Sequence, residues 1–264
     1  MNLGRLFYVT NLWLILSCAL GLLIFASEIG WRIGLRCSEA EKLHRQVSYI
    51  ATAVLALLGL LLAFTFSMAN ARYDHRKQVI LTEANAIGTA WLRADLLDEP
   101  LRGEMKKTLL DYTDARIALY ETGADAPRLK AAAERSESLQ RVIWKMVDRV
   151  ARQDRRPGVV FGVMSAVNDV IDMHETRIAA IENYIPAGLI LMLIVFAALA
   201  LYLVGWTAGL TRCRSQASTF IFAILVIMVL GVIMDINRPQ RGLIQTGQNS
   251  MLRLQEGLHS ASAK

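Results

Sequence analysis

Catalytic signatures are missing from this sequence. It holds no His-Glu-x-x-His, no Cys-x-x-Cys, no phosphate-binding glycine loop and no Gly-x-Ser-x-Gly, so the usual residue sets of zinc hydrolases, thiol redox modules, nucleotide-driven motors and serine hydrolases are absent. The chain therefore reads as a non-enzyme that needs no cofactor and no metal. Repeats of 20 to 50 residues and low-complexity tracts are also lacking, which excludes solenoids and disordered linkers. No stretch alternates apolar and polar residues as a membrane β-barrel strand does. Charge is scarce too: 20% of the 264 residues are charged, against 54% apolar.

What the chain does have is long apolar runs. Four of them, 12–29, 48–68, 185–206 and 219–236, approach the ~20 residues that a helix needs to cross a bilayer. Unpaired backbone amides are too costly in hydrocarbon for such runs to be anything but helices. Tyr8, Trp13, Trp31, Tyr49, Tyr184 and Trp206 stand at or near their ends, where amphipathic rings suit the interface. The expectation is an all-α integral membrane protein of four transmembrane helices, with a helical extramembrane domain between the second and third. Ser17-Cys18-Ala19 loosely resembles a lipoprotein cleavage site, but the apolar run continues past Cys18, so a retained span is expected.

The net charge of +6 does not imply nucleic acid. The excess lies beside the spans, at Arg32, Arg36, Lys42, Arg45, Arg72, Arg76, Lys77, Arg238 and Arg241, as expected for residues meeting an anionic lipid surface. Four spans put the N-terminus, the inserted domain and the C-terminus on one side, and the loops 30–47 and 207–218 on the other. By a small margin the domain side carries more Lys and Arg near the span ends, which favours a cytoplasmic domain. Cys37 and Cys213 share the loop side, where oxidising conditions would make a disulfide conceivable; free thiols are the simpler reading.

Along the chain, 1–68 forms a first transmembrane hairpin, 69–183 the helical domain, 184–236 a second hairpin and 237–264 an amphipathic tail. From Ala69 to Leu97 there is no proline and one glycine, Gly88, so the second span and its extension read as one helix from Ser48 to Leu97. Asp98-Glu99-Pro100 ends it. A second helix, about 101–121, carries Met105, Leu109, Tyr112, Ile117 and Tyr120 at roughly helical intervals; a third runs about 128–151 and a fourth 159–183.

Four features bear on chemistry. Asn168 to Glu175 contains Asp169, Asp172, His174 and Glu175, but these do not converge on one helical face, so a solvated or ion-pairing surface is expected rather than a metal site. Glu83 lies among Ala86, Ile87, Ala90, Trp91 and Ala94; a carboxylate buried there requires a cation, with Arg177 and Lys77 as the candidates. In the second span and just past it, Thr52, Ala56, Gly59, Ala63, Phe66, Asn70 and Tyr73 recur at four and three residues. Such a stripe either packs helices closely or walls a pore, with Phe66 or the adjoining row of Leu57, Leu60, Phe64 and Met68 as its constriction. Glu28 and Asp235, at span ends, are further candidates for a pathway.

The chain resembles the bacterial bestrophin-like membrane proteins from about residue 47 to 258. Three stretches carry the likeness: Gly59 to Ala69 followed by Glu83-Ala84-Asn85-Ala86-Ile87; Asn168-Asp169-Val170-Ile171-Asp172 with Arg177 and Pro186; and Arg238-Pro239 with Gly242. Where relatives often have an aromatic after that last proline, this chain has Gln240-Arg241. The resemblance implies a homo-oligomer, a pentamer by analogy, in the bacterial inner membrane. It implies passive passage of inorganic ions along an axis lined by the second span, with Glu83, Arg177, Pro239 and Gly242 in structural or gating roles. The alternative is a non-conducting sensor or scaffold whose helical domain docks a partner.

Overall fold

The computed structural model describes residues 10–37, 40–121, 126–238 and 242–262. The described residues form helices α1 (Leu12–Leu35), α2 (Ala40–Ala94), α3 (Leu101–Glu121), α4 (Ala126–Gln153), α5 (Pro157–Glu182), α6 (Ala187–Thr211), α7 (Gln216–Ile236) and α8 (Asn249–Ser262), with no strand among them. Helices α1, α2 and α7, and the stretch Pro157–Thr211 that contains α6, each hold a run long and apolar enough to cross a membrane. The chain is an all-α integral membrane protein.

The elements run longer than the apolar runs alone indicated. The segment 30–47 is mostly helix, because α1 continues to Leu35 and α2 starts at Ala40. At its other end α2 stops at Ala94 rather than Leu97, and the amides of Asp95, Leu96 and Leu97 then bond to the carbonyls three residues back. The tail helix begins only at Asn249. Cys18, Cys37 and Cys213 are free thiols.

The chain divides into two compact units, one formed by the chain to Ala71 with Tyr184–Arg238 and Gly242–Ile244, the other by Arg72–Asn183 and the chain from Gln245 onward. In the first unit, α1 and α6 meet through glycines. A Cβ on Gly30 would lie 2.0 Å from the Tyr202 carbonyl oxygen, one on Gly34 2.5 Å from that of Trp206, one on Gly205 2.0 Å from that of Ser27, and one on Gly209 2.4 Å from that of Trp31. Without a hydrophobic force between helices in lipid, close backbone approach of this kind is what holds them. The pairing carries α1 past residue 29, since Gly30 and Gly34 are its two close-approach glycines.

The second unit buries an ordinary apolar core. Ile87, Ala90, Trp91 and Ala94 of α2 pack with Met105, Leu109 and Tyr112 of α3, Ile143, Val147 and Val150 of α4, and Val163, Val167 and Val170 of α5. Met251 and Leu258 of α8 enter the same core, and the Gln255 amide donates to Asp114 at 2.8 Å. The tail is thus an integral layer of this unit.

Candidate functional site

The apolar half of α2 presents three faces. Val47, Ala51, Leu58, Leu62, Thr65 and Ala69 are buried in the protomer. About a third of a turn away, Thr52, Ala56, Gly59, Ala63, Phe66 and Asn70 form one stripe, all exposed. A Cβ placed on Gly59 would find nothing within 4 Å, and the Thr52 hydroxyl donates back to the Ser48 carbonyl at 2.9 Å. The third face carries Leu57, Leu60, Phe64 and Met68, also exposed. The residues named for a pore therefore divide: six share the open stripe, Tyr73 beyond them is half-buried, and Phe64 stands on the neighbouring face. Phe64 is 63% and Phe66 41% exposed.

Glu83, one helical stretch further on, is buried completely within the second unit. Its Oε1 receives Arg116 Nε at 2.5 Å and its Oε2 receives Arg177 Nη1 at 2.5 Å, so the carboxylate bridges α3 and α5. Arg116 Nη1 lies 3.0 Å from His174 Nδ1, and Arg116 Nη2 is buried without a hydrogen-bond partner among the described residues. Of the two cations named from the sequence, Arg177 reaches Glu83, while Lys77 lies over the Tyr73 ring, 5.6 Å from its centre. Tyr112 flanks the cluster; burial pushes its phenol up to about 12, and Gln140 donates to its oxygen at 3.2 Å.

Two guanidiniums against one carboxylate leave net positive charge in a core, because arginine keeps its proton. Such an arrangement is costly unless every partner is present. Arg116 escaped the sequence reading, and His174, expected on a solvated or ion-pairing surface, is instead buried against Arg116, yet each left a trace. Arg116 continues the stripe of Met105, Leu109 and Tyr112, and His174 with Arg177 continues that of Val163, Val167 and Val170. A polar residue in phase with an apolar stripe is the signal. Asp169, Asp172 and Glu175 point outward on the same helix.

The third stretch of the resemblance forms a turn after α7. Asp235 accepts from the amides of Leu243 and Ile244, both at 2.8 Å, and the Gly242 amide donates to the Arg238 carbonyl at 3.0 Å. A Cβ on Gly242 would lie 2.6 Å from the Asp235 carbonyl oxygen, so a side chain there displaces backbone. Asn237 accepts from the Ile185 amide at 3.0 Å, ahead of Pro186, and Arg238 Nη1 donates to the Thr10 carbonyl at 2.9 Å. Pro239 lies outside the described residues. Asp235 is spent on this turn, and Glu28 is likewise held, by Arg32 at 2.8 Å and Arg214 at 2.6 Å. Asp235→Ala removes the acceptor of two amides and is expected to cost about 1–3 kcal/mol, read as a lower melting temperature in detergent. An unchanged melting temperature would mean that water replaces the carboxylate without penalty.

Among curated proteins, none matches the sequence. A family model for the bestrophin-like domain matches residues 17–251, and so takes in the open stripe of α2, the Glu83 cluster and the turn at Gly242. With nearly the whole chain covered, this protein belongs to the bestrophin-like family.

Proposed function

We propose that the protein is an ion channel: a symmetric homo-oligomer, a pentamer by analogy with the family, that passes inorganic ions along an axis lined by the second span. The observation that carries this reading is the open stripe of α2. Small residues are exposed along the stripe, and a Cβ on Gly59 would meet none of the described residues within 4 Å; their sizes leave room for water beside the ring at Phe66. Only 22% of the apolar window of α2 is buried in the protomer, which leaves surface for lipid and, in this reading, for other copies of the chain. The axis lies between copies of the chain, which makes closed symmetry part of the proposal. The placing of both termini and the helical unit in the cytoplasm of a bacterial cell, across the inner membrane, belongs to the same reading.

The test joins assembly to conductance. Native mass spectrometry of the solubilised complex is expected to give a ring of four or more subunits, and planar-bilayer recordings to give ion current. Phe66→Ala is expected to raise leak by widening a dewetted constriction; a larger leak from Phe64→Ala would move the constriction to the neighbouring face. A ring that stays silent across varied ions and voltages would instead support the non-conducting sensor or scaffold.

A further inference from the structure

His174 is 3% exposed and held against a guanidinium. Arginine has donors and no acceptor, so Nδ1 of His174 must accept from Arg116 and the imidazole must be neutral, with its proton on Nε2. Charged and titratable groups face it from every side: Glu83 of α2, Arg116 of α3, Glu137 of α4 and Glu175 of its own helix, with Tyr112 and Arg177 beside the cluster. The inner acceptor is already engaged, since both oxygens of Glu83 hold arginines. Glu137 lies 3.8 Å from Arg141, and Glu175 is exposed.

We propose that His174 is the proton-binding residue of an acid-sensitive latch between α3 and α5: neutral, it accepts from Arg116; protonated, it meets Arg116 donor to donor and releases it. Gaining the proton also raises the buried positive charge set against the single carboxylate of Glu83. Burial, and after it the Arg116 charge, lowers the imidazole from its ordinary 6.5. The folded chain therefore binds this proton less readily than the unfolded chain does. The contribution to stability is complete above that ordinary value and is lost as pH falls from there through the folded value. The latch does not depend on whether the assembly conducts.

The full chain in lipid nanodiscs, followed by amide hydrogen exchange in α3 and α5 at about pH 7.5 and about pH 5.5, reads the latch once intrinsic exchange is corrected. Opening of both helices is expected to rise on acidification, by up to about tenfold. His174→Asn places an amide oxygen near the position of Nδ1 and cannot titrate, so its opening is expected to stay level across the same step. His44, His75 and His259 remain in both proteins, and their effects cancel in the comparison. Equal acid responses in the two proteins would overturn the proposal. Nitrogen NMR of histidine-labelled wild-type protein decides independently of any variant: His174 titrating at its ordinary value overturns the latch, and a depressed midpoint with neutral-acceptor Nδ1 shifts upholds it.

Discussion

Glu83→Leu is expected to destabilise the helical unit by about 3–5 kcal/mol, the largest effect of any single substitution there. The carboxylate is fully buried and is the counter-charge for Arg116 and Arg177. Neither arginine can shed its proton, so removing Glu83 strands two cations in a core. Arg116→Met should be far milder, because it removes the surplus charge and leaves the Glu83–Arg177 pair intact; its cost is the donor lost to His174 and whatever shape mismatch methionine leaves. Replacing Glu83, Arg116 and Arg177 together by Leu, Met and Met should recover most of the loss, as buried ion clusters often tolerate apolar replacement. Denaturant titration with hydrogen exchange across α3 and α5 checks the ordering. If Glu83→Leu proves no worse than Arg116→Met, the surplus positive charge assigned to this core is wrong. The result would bear on function only through the domain's integrity, which makes the triple variant a useful background for recordings.

Gly30→Ala and Gly205→Ala are the second pair of strong effects. Each added Cβ would sit 2.0 Å from a carbonyl oxygen of the facing helix, well inside contact distance. Backbone cannot rotate away as a side-chain tip can, so α1 and α6 must separate along the contact. A loss at or above the upper end of the usual ~1–3 kcal/mol for overpacking is expected. Gly21→Ala and Gly188→Ala are the controls, since a Cβ there meets nothing within 4 Å; alanine should be neutral or slightly stabilising by helix propensity. Thermal unfolding in detergent, followed by helical content, separates the two classes. Equal melting points for Gly205→Ala and Gly188→Ala would show that the α1–α6 contact does not limit the stability of the membrane unit.

Several parts of this molecule were open to reading from residues alone. Apolar runs near bilayer length, free of ionisable residues at their centres, can only be spans, because the hydrocarbon layer leaves the backbone no other way to satisfy its amides. The same physics reveals the unbroken α2, since nothing between Ala69 and Ala94 interrupts a helix. Glu83 announced its need for a cation by lying among Ile87, Ala90 and Trp91. The identity of that cation was not local information: Lys77 and Arg177 were equally available in the sequence, and only the packing of α5 against α2 brings Arg177 to Oε2. Arg116 lay 33 residues away, on another helix. Glycines at Gly30, Gly34, Gly205 and Gly209 carry the spacing of close helix packing, yet a spacing does not name its partner helix. Sequence alone determined the class and the spans, and marked a carboxylate that needs a cation if buried, because these follow from solvent and period. Tertiary structure decided which helices touch, which arginines share Glu83, and that His174 must accept rather than donate, because those outcomes depend on distances that no local pattern encodes.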